Sequence, residues 1–238
     1  MHYAVHFILV FFYALGLWAT TSPVQAGPKE DCEQGSRRPP LLSDQEVDVI
    51  IRGCSEVIQR DKKVPWAFRQ RGRAYRHKGE NDRAIADFSK VIELNPSADA
   101  YDDRAWTYRR KGDFDRAIVD FGEAIRLDPS VSTYSRRAGA HWAKGDYDRA
   151  TADFSQAIAL DSETIKRNPN DAGAHKSRSG VHRAKGDYDR AIEDYNEVIR
   201  LEPNKASRYR ERGELHLDNG DADRAIADFD EAIRIRRP

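Results

Sequence analysis

One short pattern, Gly-acid-x-Asp-Arg-Ala, recurs five times along the chain and limits its fold more than any other feature. It reads Gly79-Glu80-Asn81-Asp82-Arg83-Ala84, then Gly112-Asp113-Phe114-Asp115-Arg116-Ala117 and Gly145-Asp146-Tyr147-Asp148-Arg149-Ala150. It returns as Gly186-Asp187-Tyr188-Asp189-Arg190-Ala191 and Gly220-Asp221-Ala222-Asp223-Arg224-Ala225. The glycines are 33, 33, 41 and 34 residues apart. A fixed period of this size marks a chain built by stacking one supersecondary unit, each copy burying its face against the next.

Other positions keep the same register. Four residues after each Ala of the turn stands a ring: Phe88, Phe121, Phe154, Tyr195 and Phe229. An Ile follows each at Ile92, Ile125, Ile158, Ile199 and Ile233, and Pro96, Pro129, Pro169, Pro203 and Pro238 stop the segment. Upstream of each turn a small residue recurs at Gly72, Ala105, Ala138, Ser179 and Gly213. Three residues beyond it comes Tyr75, Tyr108, His141, His182 or His216. Within one unit, Ala84, Ile85, Phe88, Val91 and Ile92 line one face of a helix. The turn glycine suits a left-handed helix end, the acid after it suits the cap of the next helix, and Pro cannot continue a helix.

Over residues 65–238 these positions resemble the tetratricopeptide-repeat family. That resemblance implies an all-α, right-handed solenoid of helix-turn-helix repeats at residues 65–97, 98–130, 131–171, 172–205 and 206–238. The 41-residue step exceeds 34 by seven, or two helical turns, so a longer second helix in the third repeat preserves the register. A looped-out insertion is the alternative. Residues 41–64 carry a half-repeat, because Asp48 to Ile58 matches Asp82 to Ile92, with Cys54 in the place of Phe88. It reads as an N-terminal cap, which repeat arrays need. Residues 27–40, with Gly35, Ser36, Pro39 and Pro40, read as a loose arm. At the other end Ile226, Phe229 and Ile233 would lack their usual cover.

Residues 1–26 contain no Lys, Arg, Asp or Glu, and are apolar from Ala4 to Trp18. Val24-Gln25-Ala26 places small residues where a signal peptidase reads them, making Gly27 the mature N-terminus. His2 and His6 stand where Lys or Arg is usual, which leaves an uncleaved anchor as the rival. That rival is weakened because the run falls short of the ~20 residues that span a bilayer. Lys29, Glu30 and Asp31 precede Cys32, unlike a lipoprotein site. Cys32 and Cys54 are the two cysteines, an even count that in an exported chain points to a disulfide. Two free thiols are the alternative. No His or acid has ligand-like spacing to both cysteines, so no metal site is expected there. The Cys-bearing half-repeat behind a leader resembles exported tetratricopeptide proteins of Gram-negative bacteria, a resemblance that implies a periplasmic protein, with an anchor by an uncleaved N-terminal helix as the alternative.

No catalytic or cofactor motif appears: no Gly-x-Ser-x-Gly, no His-Glu-x-x-His, no phosphate or calcium loop. With Lys plus Arg equal to Asp plus Glu at 40 each, a nucleic-acid partner is not expected. Packing accounts for His141, His182 and His216, which share one repeat position; metal binding or pH sensing is the rival reading. The family resemblance implies a concave groove lined by first helices and a role in binding a protein or peptide rather than in catalysis. Its groove positions carry over as Trp66, Arg69, Arg73 and Arg76 in the first repeat and Trp106, Arg109 and Arg110 in the second. Trp142 follows in the third repeat, and Lys176 and Arg183 in the fourth. The arginines suit acidic segments of a partner, and the tryptophans suit flat apolar contacts. Against this, Asp99, Asp102 and Asp103 stand ready to pair with the same arginines. A chaperone-type carboxylate clamp is disfavoured, since Asp103 holds its second-repeat Asn position. Self-association through the bare last repeat is the second expectation.

Overall fold

A computed structural model describes residues 27–33 and 43–236. The expected signal peptide lies outside the described residues, as do residues 34–42 and 237–238. The described chain is helical, with no strand among the described residues. The order is α1 (Pro28–Glu33), α2 (Asp44–Arg60), α3 (Pro65–His77), α4 (Asn81–Leu94), α5 (Ala98–Arg110) and α6 (Phe114–Leu127). It continues as α7 (Val131–Ala143), α8 (Tyr147–Arg167), α9 (Ala172–Lys185), α10 (Tyr188–Leu201), α11 (Ala206–Asp218) and α12 (Ala222–Arg236). Each helix packs on its neighbour in sequence, so the core forms in successive layers and the molecule is an all-α solenoid.

The punctuation of the sequence does the expected local work. Gly79, Gly112, Gly145, Gly186 and Gly220 have φ between 78° and 84°, the left-handed region that disfavours a side chain. After each, one backbone N–H reaches back to the ring residue of the first helix, as from Asp113 N to the Tyr108 carbonyl at 2.9 Å. This is the Schellman closure. Asp113 and Asp146 then cap α6 and α8 by accepting from the backbone N–H of Arg116 and Arg149. The helices pair closely where the small residues stand. A methyl group on Gly72 would come within 2.9 Å of the Phe88 ring, and one on Gly213 within 2.6 Å of Phe229.

Two regions need comment. Residues 28–33, expected within a loose arm, instead form α1, which packs on α2 through the Cys32–Cys54 disulfide. Both cysteines are fully buried, and Cys54 stands at the sequence position where the later repeats place a ring. The approach is tight enough that a side chain on Gly53 would collide with the Pro28 carbonyl. The second region is α8, with 21 residues where α6 and α10 have 14. Its first turns pair with α7 through Asp153, while its later turns support α9 through Ser162, seven residues beyond Ser155. Seven residues bring nearly the same helix face round again, displaced by about 10 Å.

Candidate functional site: the first-helix face

A recurrent ion pair fixes the first helices to the second. In every repeat an Arg on the first helix grips an Asp sixteen residues later on the second: Arg71–Asp87, Arg104–Asp120, Arg137–Asp153, Arg178–Asp194 and Arg212–Asp228. Each pair is made by two guanidinium nitrogens, as in Arg104 Nε to Asp120 Oδ2 at 2.7 Å and Nη2 to Oδ1 at 2.8 Å. The Asp carboxylates are buried. The same guanidinium reaches the preceding repeat, from Arg71 to Ser55, Arg104 to Ser89, Arg178 to Ser162 and Arg212 to Asn196. The signature positions did not point to this ladder. Its signal was present as an Arg sixteen residues ahead of an Asp in each of the five repeats.

The ten residues assigned from sequence to the groove have different surroundings. Arg69, Arg73 and Arg76 converge on one buried carboxylate, that of Asp103, at 2.7, 3.0 and 3.2 Å. Burial alone would raise the Asp103 pKa, but Arg73, Arg76 and Arg69 overcome it and hold the carboxyl below its ordinary range. Arg69 also meets Asp99 at 2.9 Å, and Arg110 donates to the Arg76 carbonyl at 2.9 Å. Asp102 pairs with Arg136, yet burial outweighs that partner and raises its pKa. The basic stretch at the N-terminal end of the face is therefore largely matched by acids from the adjacent repeat. Further on, Lys176 pairs with Glu211 at 2.8 Å and Arg183 with Asp218 at 2.6 Å. Trp66 is 37% exposed at the start of α3.

Arg109 and Arg110 have no carboxylate partner among the described residues, and Arg110 donates to a carbonyl instead. The Arg109 guanidinium lies 5.0 Å from the centre of the Trp106 ring, a cation–π geometry. It stands at one rim of a cavity of about 530 Å³ between α7 and α9. Phe154 and Val181 provide its apolar floor, and Ser135, Gly139, Ser177 and Gly180 its walls. Trp142, 48% exposed, stands at the rim with its ring 4.8 Å from Tyr147, edge to face.

The cavity follows from the long α8. Side-chain ion pairs tie α3 to α5, α5 to α7 and α9 to α11. None ties α7 to α9 among the described residues. A ladder between turns breaks at the same joint. Lys78, Lys111 and Lys144 each pair with an acid near the start of an earlier helix, Asp48 of α2, Asp82 of α4 and Asp115 of α6, and Asn219 does so with Asp189 of α10. The corresponding Lys185 and Asp148 make no pair among the described residues. Displacing α9 by two turns thus takes away the contacts that close the other joints.

His141, His182 and His216 are buried beside the acids of their own repeats; His182, for instance, lies 3.8 Å from Asp187. His175 is buried too, with Nε2 3.1 Å from the Pro169 carbonyl, and was not singled out from sequence. No grouping of three or more His, Cys, Asp or Glu with metal-binding geometry occurs among the described residues. Nor does any helix among them have the length and apolarity to cross a membrane.

Among solved structures, the chain is similar to MamA at 26% identity, over 69% of this chain and 93% of that one, with a TM-score of 0.46. It is similar to BtubC from P. vanneervenii at 15% identity, over 89% of this chain and 91% of that one, with a TM-score of 0.57. A third likeness is to the APC/C hetero-tetramer Cut9–Hcn1, at 19% identity over 81% of this chain and 37% of that one, with a TM-score of 0.55. The last two likenesses concern the fold alone. No curated protein matches the chain. The profile of the tetratricopeptide repeat matches residues 69–132, 103–164, 135–206 and 181–238. This chain belongs to the tetratricopeptide repeat family.

Proposed function

We propose that the protein is a non-catalytic adaptor that holds a segment of a protein partner on the face formed by its first helices. Tetratricopeptide repeats serve protein–protein interaction, and the cavity between α7 and α9 carries this reading, being concave, floored by apolar groups and bordered by an unmatched cation. The periplasm fits as its location: the chain has a cleavable-looking leader and a buried disulfide, which persists in oxidising compartments. Fractionation of the native cells tests the location, and recovery of the protein in the cytosol with reduced thiols would exclude it. For binding, the chain purified with its native partner should lose that partner when Arg73 and Arg109 are both changed to Glu. Retention of the partner by this variant would move the interface off the first-helix face.

A second reading has its own support. Ile226 and Ile233 on α12 are 58% and 52% exposed, beside a small apolar recess formed with Phe229 and Ala232. A second copy docking there would make the array an assembly scaffold. Light scattering across a concentration series separates the readings, since a mass that stays monomeric excludes the scaffold.

A further inference from the structure

We infer that the joint between α7 and α9 is a specificity subsite, taking an aliphatic side chain of the partner into the slot while a nearby carboxylate of the same segment binds Arg109. This rests on the adaptor reading and states which chemistry that reading selects.

The residues at one repeat position carry the first part of the argument. Going along the array it holds Arg73, Trp106, Gly139, Gly180 and Glu214. Bulky or charged groups fill the groove in the first, second and fifth repeats. Only the joint where the long α8 removes the tying ion pairs has glycine at this position on both of its first helices. The space before Gly180 is open, with no atom within 4 Å of where a Cβ would stand. Behind it, the nearly inaccessible Phe154 and Val181 form an apolar floor. A slot of this kind favours a branched aliphatic side chain, which gains by burial and needs no hydrogen bond. A polar side chain gains less there, because the floor offers it no partner and only the serine hydroxyls of the walls could meet it.

The second part concerns charge. The sequence-assigned arginines Arg69, Arg73, Arg76 and Arg183 already meet carboxylates. Arg110 donates to the Arg76 carbonyl, whereas Arg109 meets no carboxylate, its guanidinium lying 5.0 Å from the centre of the Trp106 ring. A methyl group on Gly139 would lie 3.4 Å from its Nη2, so the cation borders the glycine wall of the slot itself. A pre-placed guanidinium beside an apolar slot selects a carboxylate close in sequence to the aliphatic anchor. Trp142 on the rim adds a flat surface for the chain between them.

The test uses the full chain and a display library of random twelve-residue peptides. Selected peptides should share an Asp or Glu within a few residues of Leu, Ile, Val or Met. For those peptides, Gly180→Leu and Arg109→Gln should each weaken binding by about tenfold or more, as loss of a buried anchor or a charge-assisted bond does. Gly180→Leu replaces a helix-interior glycine where space is open, so its melting temperature should match or exceed that of the wild type. Lys90→Gln, on α4 away from the face, should leave affinity unchanged. Equal binding by wild type and Gly180→Leu overturns the slot while leaving an adaptor that binds elsewhere. A motif without acids, together with full binding by Arg109→Gln, overturns the carboxylate. Selection of no peptide at all counts against both this inference and the adaptor reading.

Discussion

The guanidinium–carboxylate ladder shows how much one side chain contributes here. Arg104 holds a buried carboxylate on the second helix of its own repeat and a hydroxyl of the previous one, so its loss loosens two packing contacts at once. Asp120→Ala should therefore cost about 3 kcal/mol, because it leaves the mostly buried Arg104 without its anion; urea unfolding gives the value. The ladder also has a gap that can be repaired. Where Ser or Asn meets the guanidinium from the preceding helix pair in the other cases, the second repeat offers Gly122 to Arg137, and a Cβ there would lie 3.6 Å from Arg137 Nη1. Gly122→Ser should stabilise the protein by about 1 kcal/mol, combining a new hydrogen bond with better helix propensity. An unchanged midpoint would mean that the added hydroxyl does not meet the guanidinium. The histidines act in the opposite direction. Burial, aided by nearby arginines, outweighs the nearby acids and holds the His141 and His182 imidazoles below their ordinary pKa of 6.5. As pH falls through that ordinary value, the unfolded chain takes up protons before the folded one, and stability declines. Melting temperature should drop between pH 7 and pH 5, and the double variant His141→Tyr/His182→Tyr should flatten that drop. Tyr is the residue that Tyr75 and Tyr108 already place at this position.

At the scale of elements, the helix boundaries were legible because chemistry sets them. Glycine supplies the positive φ, aspartate the cap and proline the stop, and each recurs at a fixed interval. The short α1 was not legible, since six residues are too few to show a periodicity and a tertiary bridge holds it in place. Which side chains face the groove could be read from repeat position. Which of them remain free could not, because Arg69 finds Asp103 thirty-four residues away, and pairing across a stack depends on how neighbouring repeats sit. The extra length of α8 makes the same point. Its seven residues were visible as a longer period, but their effect is on the joint, where the Lys–Asp ladder lapses and the slot opens. Removing residues 155–161 leaves Phe154 followed directly by Ser162, the order found at Phe88 and Ser89. That deletion should leave a helical, cooperatively folded chain while closing the slot. Peptides selected on the wild type should then bind at least about tenfold more weakly. Binding that survives the deletion would show that the long helix does not create the site.

For the whole molecule, layered packing decides how a local change spreads. Each layer contacts only its neighbours, so stability is close to a sum of repeat and joint contributions, and the ends are the weakest parts. At the N-terminal end Cys54 takes the sequence position of the ring, and the disulfide fastens α1 over α2. Its 22-residue separation corresponds to about 3 kcal/mol of lost unfolded-chain entropy. In a globular domain with one core that loss would be felt everywhere. In a stack it should stay near the bridge. The double variant Cys32→Ala/Cys54→Ala should lose amide-exchange protection in α2 and α3 while α10 to α12 keep theirs. Wild-type protein held in reductant should show the same gradient. Equal loss of protection along the chain would instead mean that the repeats open as one unit, across the α7–α9 joint as well. A partner segment seated in that joint would then be bound to stability over the whole array and not only to the two helices that form the slot.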